Sequence, residues 1–165
     1  ELFERARKDG WRRNGKPGFV HTTDFEGNPV LTERLQWVLC EGICATVALR
    51  RATLDDGGHA GHVEAYEHSY HSWIDYLNDY MMLEPGVIAR ALNEDNEPME
   101  GTISARPDIY HTIQAFLIGR VPMCPPLGAA LSRGLLDHPE GAPQRPQNRR
   151  GKGGRGQRSI FSWGE

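Results

Sequence analysis

The sequence lacks the cysteine patterns of disulfide-rich and zinc-binding domains. Its three cysteines are an odd number, and none of them lies in a Cys-x-x-Cys pair. Cys40 and Cys44 lie one helical turn apart in an apolar segment, where free cysteine behaves as a small hydrophobic residue. We therefore expect neither a disulfide framework nor a metal site. A reducing, cytoplasmic location is the default for such a chain.

Long apolar runs are missing as well. No segment approaches the roughly 20 consecutive apolar residues that a transmembrane helix needs, and no basic-then-apolar secretion signal opens the sequence. We therefore expect no membrane span. The chain opens on Glu1 rather than Met, and Leu2, Phe3 and Ala6 are spaced as at the end of a helix. We expect it to have been cut from a longer protein.

Positive charge is scarce in most of the chain. Of 19 Lys/Arg and 22 Asp/Glu residues, six basic and two acidic ones lie between His138 and Glu165, which leaves 13 and 20 in residues 1–137. An acidic body argues against nucleic acid as the main partner. Residues 137–165 are rich in Gly, Arg and Pro without apolar periodicity, which predicts a disordered basic tail after a folded domain of residues 1–136.

Apolar periodicity in residues 1–136 predicts a chain of helices. The predicted helices cover residues 1–9, 32 or 33 to 53, 63–83, 107–119 and about 126–134, and short hairpins fit 18–30 and part of 84–100. Val63 to Leu83 carries a single apolar stripe beside a polar face, which is typical of an amphipathic helix with one wet side.

Two other predicted helices are apolar on every face, which indicates burial. Glu41 is the one charged residue between Leu35 and Leu49. Because a buried carboxylate is costly, Glu41 must be paired, protonated or lining a polar cavity. His111 is the one strongly acidic or basic candidate in residues 109–119.

The alternation of buried and amphipathic helices predicts an all-α fold of helical hairpins in an inner and an outer ring, with short β-hairpins in the loops. Successive inner helices then run parallel, so that their N-termini share one rim. Trp37 and Glu41 lie in the first two turns of one inner helix, and His111 lies in the first turn of the next. These three side chains are therefore expected to converge on one site.

The residues at this predicted site resemble a known family. The segment 34–43, RLQWVLCEGI, is similar to the WxxxE helix of the N-acylglucosamine 2-epimerase superfamily, and the segment 106–115, RPDIYHTIQA, resembles its KPDxYHxxQA motif. The stretches GFVHTTDFEGNPV and LNEDNEP follow the family order. The resemblance covers nearly all of residues 1–135 and is strongest to mannose isomerase-like members.

The resemblance implies a partial (α/α)6 barrel, with about four of twelve helices present. It also implies an aldose–ketose isomerase or 2-epimerase of a mannose- or N-acylglucosamine-type hexose that needs no metal or other cofactor. Two histidines of the family act as acid and base across the sugar. His111 matches the C-terminal one, and Trp37 and Glu41 match residues that line the sugar pocket.

The chain departs from the family pattern at a few positions. Gln36 stands where an aromatic residue is common, Gly42 where Ala is common, and Arg106 where Lys is usual. The partner histidine belongs to the earlier half of the family, which this sequence does not contain. We therefore expect the partner to be the missing N-terminal half or another copy in a homo-oligomer, and we expect residues 1–165 alone to show little turnover.

Structural roles are the alternatives for these residues. His111 could be a core histidine whose ring is satisfied by Asp108 or by a backbone carbonyl. Glu41 could form a buried ion pair with Arg34 or Arg106. For the whole chain, the alternative function is a non-catalytic helical module that binds sugar or a protein partner.

Three further features have both a functional and a structural interpretation. Trp37 could stack on a sugar or belong to the core. The Arg/Gly tail could contact RNA, but it lacks interleaved aromatic residues. Four histidines fall on a loop and on the wet side of an outer helix, and we interpret them as surface residues rather than metal ligands: His59, His62, His68 and His71.

Overall fold

The computed structural model describes residues 1–99 and 109–138, in two compact units that divide after Thr112. The predictions for residues 100–108, and for the tail beyond 138, lie outside the described residues. The helices are α1 (Leu2–Gly10), α2 (Gln36–Asp55), α3 (Ala60–Tyr76), α4 (Ile109–Leu117) and α5 (Leu127–Ser132). The strands are β1 (Thr22–Thr23), β2 (Pro29–Leu31), β3 (Arg34–Leu35), β4 (Met82–Glu84), β5 (Val87–Ile88) and β6 (Ala91–Leu92).

The first unit, residues 1–112, is organised around a hairpin of α2 and α3. A short turn joins the two helices, and Gly57 takes a positive φ of 63° there. Leu39, Ile43 and Val47 of α2 are almost completely buried, as is Trp73 of α3. The amphipathic pattern predicted for residues 63–83 is confirmed, although the α-helix ends at Tyr76 and continues as a π-helical turn, Leu77–Met81.

The start of α2 differs from the sequence prediction. The helix was expected to begin at Thr32 or Glu33, but Arg34 and Leu35 instead pair antiparallel with Leu92 and Ala91. The backbone N–H of Gln36 then donates to the carbonyl of Arg90 at 2.9 Å. A strand partner almost sixty residues away satisfies backbone groups that a helix would otherwise have used, so the helix begins at Gln36.

Aromatic rings hold α1 against this hairpin. Trp73 lies 4.8 Å from Phe19 and 5.8 Å from both Phe3 and Trp11, measured between ring centroids. Edge-to-face and tilted contacts at these distances add to the free energy gained by burying the rings. The cluster holds α1 and the segment that follows it against α3.

The strands form three two-stranded antiparallel sheets: β1 with β2, β3 with β6, and β4 with β5. The hairpin predicted within residues 18–30 is confirmed, and Gly27 turns it with a φ of 86°. The described residues are therefore mostly helical with a few short strands, as expected for an all-α fold. No described helix is both long and apolar enough to cross a bilayer.

Arg34 is a buried cation that connects two loops. Its guanidinium donates to the carbonyls of Pro17 at 2.8 Å and Thr32 at 3.0 Å, and to the side chain of Asn14 at 2.7 Å. Burial lowers the pKa of Arg34, although an arginine stays charged at any physiological pH. These hydrogen bonds compensate part of the cost of burying the charge.

Gly18 allows this close approach, which leads to a stability prediction. Gly18 has a φ of 110°, and a Cβ there would collide with the Arg34 side chain and lie 2.6 Å from the Tyr76 hydroxyl. We expect Gly18→Ala to lower the free energy of unfolding by about 2–4 kcal/mol, combining backbone strain and overpacking. The matched control is Gly15→Ala, where φ is 78° but no atom lies within 4 Å.

Urea unfolding of the two variants separates the two causes. Gly15→Ala should lose about 1 kcal/mol, because it introduces only backbone strain. An equal loss in both variants would show that Arg34 tolerates the added methyl group, and it would contradict the packing argument.

The described part of the second unit covers residues 113–138. It contains the end of α4, a 3-10 turn at Ile118–Arg120 and the helix α5. The guanidinium of Arg120 makes two hydrogen bonds to the carboxylate of Asp137, at 2.8 and 2.9 Å. The predicted last helix is confirmed, and Gly134 follows its end with a φ of 67°.

Candidate functional site

Trp37, Glu41 and His111 meet at one place in the structure. Trp37 and Glu41 are four residues apart on α2, so they occupy one face of that helix. His111 is the third residue of α4. The Glu41 Oε1 atom lies 2.8 Å from His111 Nδ1. The Trp37 and His111 ring centroids are 6.1 Å apart.

The burial predicted for this face of α2 is wrong. The Glu41 side chain is 46% exposed and that of His111 is 23% exposed, and Trp37 is 43% exposed. The helix α2 is buried on the sides that face α3 and the aromatic cluster, but the side that carries Trp37 and Glu41 stays partly exposed even though His111 of α4 contacts it. The apolar pattern of a helix indicates that a face can be covered, not that it is.

The structure tests one of the two arginines that could form an ion pair with Glu41. Arg34 is engaged with Pro17, Thr32 and Asn14 rather than with Glu41. Arg106 and Asp108 lie outside the described residues. The Glu41 carboxylate pairs instead with the imidazole of His111.

Glu41 also lines an open groove of about 1130 Å³ between α1 and α2. Its walls are largely apolar and include Phe3, Phe19, Val38 and Trp73. The groove is widened by three small residues of α2, Gly42, Ala45 and Ala48. The carboxylate of the Glu41–His111 pair is therefore at the edge of a hollow that is wide enough to receive further protein or ligand.

The geometry of the pair defines which imidazole nitrogen can act as a base. An ionised carboxylate only accepts hydrogen bonds, so a Glu41 carboxylate bonded to Nδ1 favours the tautomer with its proton on that nitrogen. The lone pair of a neutral imidazole is then on Nε2. A histidine oriented by a carboxylate in this way is a frequent arrangement for acid–base chemistry.

A second contact between α2 and α4 was missed at the sequence level. Gln36 and Thr112 are both buried, and the Gln36 side-chain amide donates to the Thr112 hydroxyl. The same amide lies 3.3 Å from Cys40 Sγ. The sequence signal for this contact is Gln36 itself, a polar residue in an otherwise apolar stretch.

Burial also determines the reactivity of the three cysteines. Burial raises the pKa of the Cys40 thiol to about 11, Cys44 is buried as well, and Cys124 is exposed. We expect a thiol reagent such as Ellman's reagent to modify one thiol per chain rapidly at pH 8, and the other two only in denaturant. Rapid reaction of any thiol in Cys124→Ser would contradict the burial of Cys40 and Cys44.

The four histidines expected on the surface are there. His59, His62, His68 and His71 are all exposed. Within residues 1–99 and 109–138, no group of three or more His, Cys, Asp or Glu side chains is arranged to hold a metal ion.

Residues 1–115 match the family described as N-acylglucosamine 2-epimerase (GlcNAc 2-epimerase). The match includes all three residues of the converging site and covers more than half of the chain. The chain belongs to this family. The resemblance seen in the WxxxE and PDxYHxxQA segments is thereby confirmed.

Two curated relatives of this chain are D-mannose isomerases. The one from Pseudomonas cannabina pv. alisalensis is 34% identical over 133 residues, which are 80% of this chain and 30% of the relative. The one from Thermobifida fusca is 32% identical over 136 residues, 79% of this chain and 31% of the relative. This member of the family therefore spans about a third of the length of these relatives.

A solved structure supports the same relationship. A crystal structure of D-mannose isomerase matches 69% of this chain and 27% of its own length, with a TM-score of 0.56 and 26% sequence identity. The similarity to mannose isomerase-like family members, expected from the sequence, is confirmed.

Proposed function

We propose that this chain is part of a sugar isomerase or 2-epimerase in which His111 transfers a proton at C2 of an open-chain hexose. The observation that carries the proposal is the 2.8 Å contact between the Glu41 carboxylate and His111 Nδ1. Family membership supports the reaction class, and the names of the relatives favour a mannose-type aldose over an N-acylglucosamine-type sugar.

The chemistry follows from what such a rearrangement requires. His111 Nε2 accepts the proton from C2 of the aldose, and the electrons form a cis-enediolate. The imidazolium returns this proton to C1 while the O2 proton passes to O1, which leaves the carbonyl at C2 and yields the ketose. Imidazole suits both steps, because its ordinary pKa allows it to gain and lose a proton near neutral pH.

Glu41 and Trp37 have supporting roles in this proposal. Glu41 orients the imidazole, and its carboxylate, which is 46% exposed, can also accept a hydrogen bond from a sugar hydroxyl. The exposed Trp37 ring, 6.1 Å from the imidazole, offers an apolar face for the C–H side of a pyranose or open-chain sugar.

We further propose that residues 1–136 are the C-terminal part of an (α/α)6 barrel. In this arrangement α2 and α4 are inner helices, and α3 is an outer one. The apolar groove beside α2 is then covered by the remainder of the barrel, either from the missing N-terminal half or from another copy. The remainder of the barrel supplies the second acid–base group, on the opposite side of the sugar. The enzyme works without a metal or other cofactor and is located in the cytoplasm.

A chimera tests the proposed activity. Residues 1–135 replace the aligned segment of the Thermobifida fusca D-mannose isomerase, and conversion of D-mannose to the ketose is followed by proton NMR. We expect turnover, because the chimera combines the proposed His111 site with the remaining helices. A chimera that folds and binds D-mannose without converting it would favour a non-catalytic sugar-binding module and would contradict the proposal.

A further inference from the structure

We propose that Gln36 is a positioning residue for His111 and that it acts through Thr112. This inference rests on the proposed function, in which the orientation of His111 matters. Gln36 is 1% exposed and Thr112 is 9% exposed, and the amide of the first donates to the hydroxyl of the second. Thr112 is the residue directly after His111, so a constraint on one is a constraint on the orientation of the other.

The contacts between α2 and α4 form two adjacent rows. Gln36 and Cys40 are four residues apart on α2, and their row meets Thr112. Trp37 and Glu41 form the next row, one residue further along, and meet His111. The first row is buried and the second is exposed. Sliding or rotating α4 by one residue would break both rows together.

The two rows differ in how strongly they resist such a shift. A buried amide that loses its acceptor retains the full cost of having been removed from water. A carboxylate as exposed as Glu41 can exchange a lost partner for water, and exposed pairs contribute little to stability. The buried Gln36–Thr112 bond therefore determines the register, and the Glu41–His111 pair follows from it.

Two further observations support a directional role for Gln36. Its backbone N–H donates to the Arg90 carbonyl at 2.9 Å, so the backbone that carries the side chain is held in place. Apolar side chains at positions 36 and 112 could fill the same space, but apolar contacts are non-directional and would not select one register. The directional hydrogen bond between Gln36 and Thr112 selects one register of α4 and thereby one orientation of His111.

The test is the tautomer of His111, measured by long-range ¹H–¹⁵N NMR on the 165-residue chain. In the unmodified chain we expect the proton on Nδ1, and a His111 ring with no preference for Nδ1 would overturn the geometry. Thr112→Val keeps the side-chain shape but removes the hydroxyl, and we expect the Nδ1–H signature to be lost. Thr112→Ser restores the hydroxyl and should restore the signature.

Two more variants separate positioning from stability. The double variant Gln36→Met/Thr112→Val has no unpaired buried amide, so we expect its melting temperature to be close to that of the unmodified chain. The Nδ1–H signature of His111 should nevertheless be absent from this variant. Val47→Ala creates a cavity on the buried side of α2 and should lower the melting temperature without changing the signature. An Nδ1–H signature that persists in the folded double variant would overturn the proposal.

These measurements need no turnover, so they fail or succeed independently of the proposed function. In the chimera, the double variant should lose about tenfold in kcat with little change in KM, because it disturbs orientation rather than sugar contacts. A tautomer change without chimera activity would leave the positioning role intact and remove the isomerase assignment.

Discussion

In the chimera with D-mannose as substrate, His111→Ala should lower kcat/KM by about 10²–10⁴-fold, the usual contribution of a positioned acid–base group. The imidazole is the group that takes the C2 proton in the proposed reaction, and alanine leaves no side chain able to do so. Fold and stability should change little, because His111 is partly exposed and lies in the first turn of α4. Initial rates at several D-mannose concentrations give the measurement.

The matched control for this substitution is His71→Ala, which removes an exposed imidazole from α3. It should leave kcat/KM within about twofold, since surface substitutions rarely have larger effects. A His111→Ala variant that retains more than a tenth of the activity of the parent chimera would remove His111 from the catalytic role.

Glu41→Gln should lower kcat by about 10–100-fold and leave KM within about threefold, by analogy with residues that orient a catalytic or ligating histidine. The amide nitrogen can donate to Nδ1, which would favour the tautomer with the proton on Nε2 and leave no base facing the sugar. Steady-state kinetics of the chimera separate kcat from KM.

Glu67→Gln is the control for the loss of a carboxylate from an ion pair, because Glu67 accepts from Arg50 at 2.7 Å on the α2–α3 hairpin. It should lower stability slightly and leave kcat unchanged. A rise in KM with an unchanged kcat in Glu41→Gln would show that Glu41 mainly binds the sugar, and it would contradict the orienting role.

Local patterns in the sequence predicted most of the elements. The apolar stripe of α3, the Gly27 turn and the long α2 helix each depend on residues close together in the chain. The convergence of Trp37, Glu41 and His111 was also predictable, because it required only their positions near the N-termini of two helices that were expected to run parallel.

Features that depend on distant residues were not predictable in the same way. The start of α2 at Gln36 is determined by pairing of Arg34 and Leu35 with residues 91–92. The hydrogen bond from Gln36 to Thr112 joins residues 76 positions apart. No periodicity in the sequence reports on such a pairing, because each residue is locally compatible with several partners.

The exposure of the site is the third feature that the sequence could not provide. The apolar composition of residues 35–49 predicted burial on all sides, but burial of a helix face depends on whether another element covers it. In the described residues, Trp37 and Glu41 remain open and the neighbouring face of α2 lines a groove. The same composition fits the inner helix of the proposed barrel, in which further helices would cover this face.

Proton exchange in heavy water tests the role of His111 most directly. D-Mannose is incubated in D₂O with the chimera and with its His111→Ala variant, and deuterium at C2 of the aldose and C1 of the ketose is followed by NMR. We predict incorporation of solvent deuterium by the parent chimera and none by the variant, with equal binding of D-mannose to both. Deuterium incorporation by His111→Ala at the rate of the parent would contradict proton transfer through this imidazole.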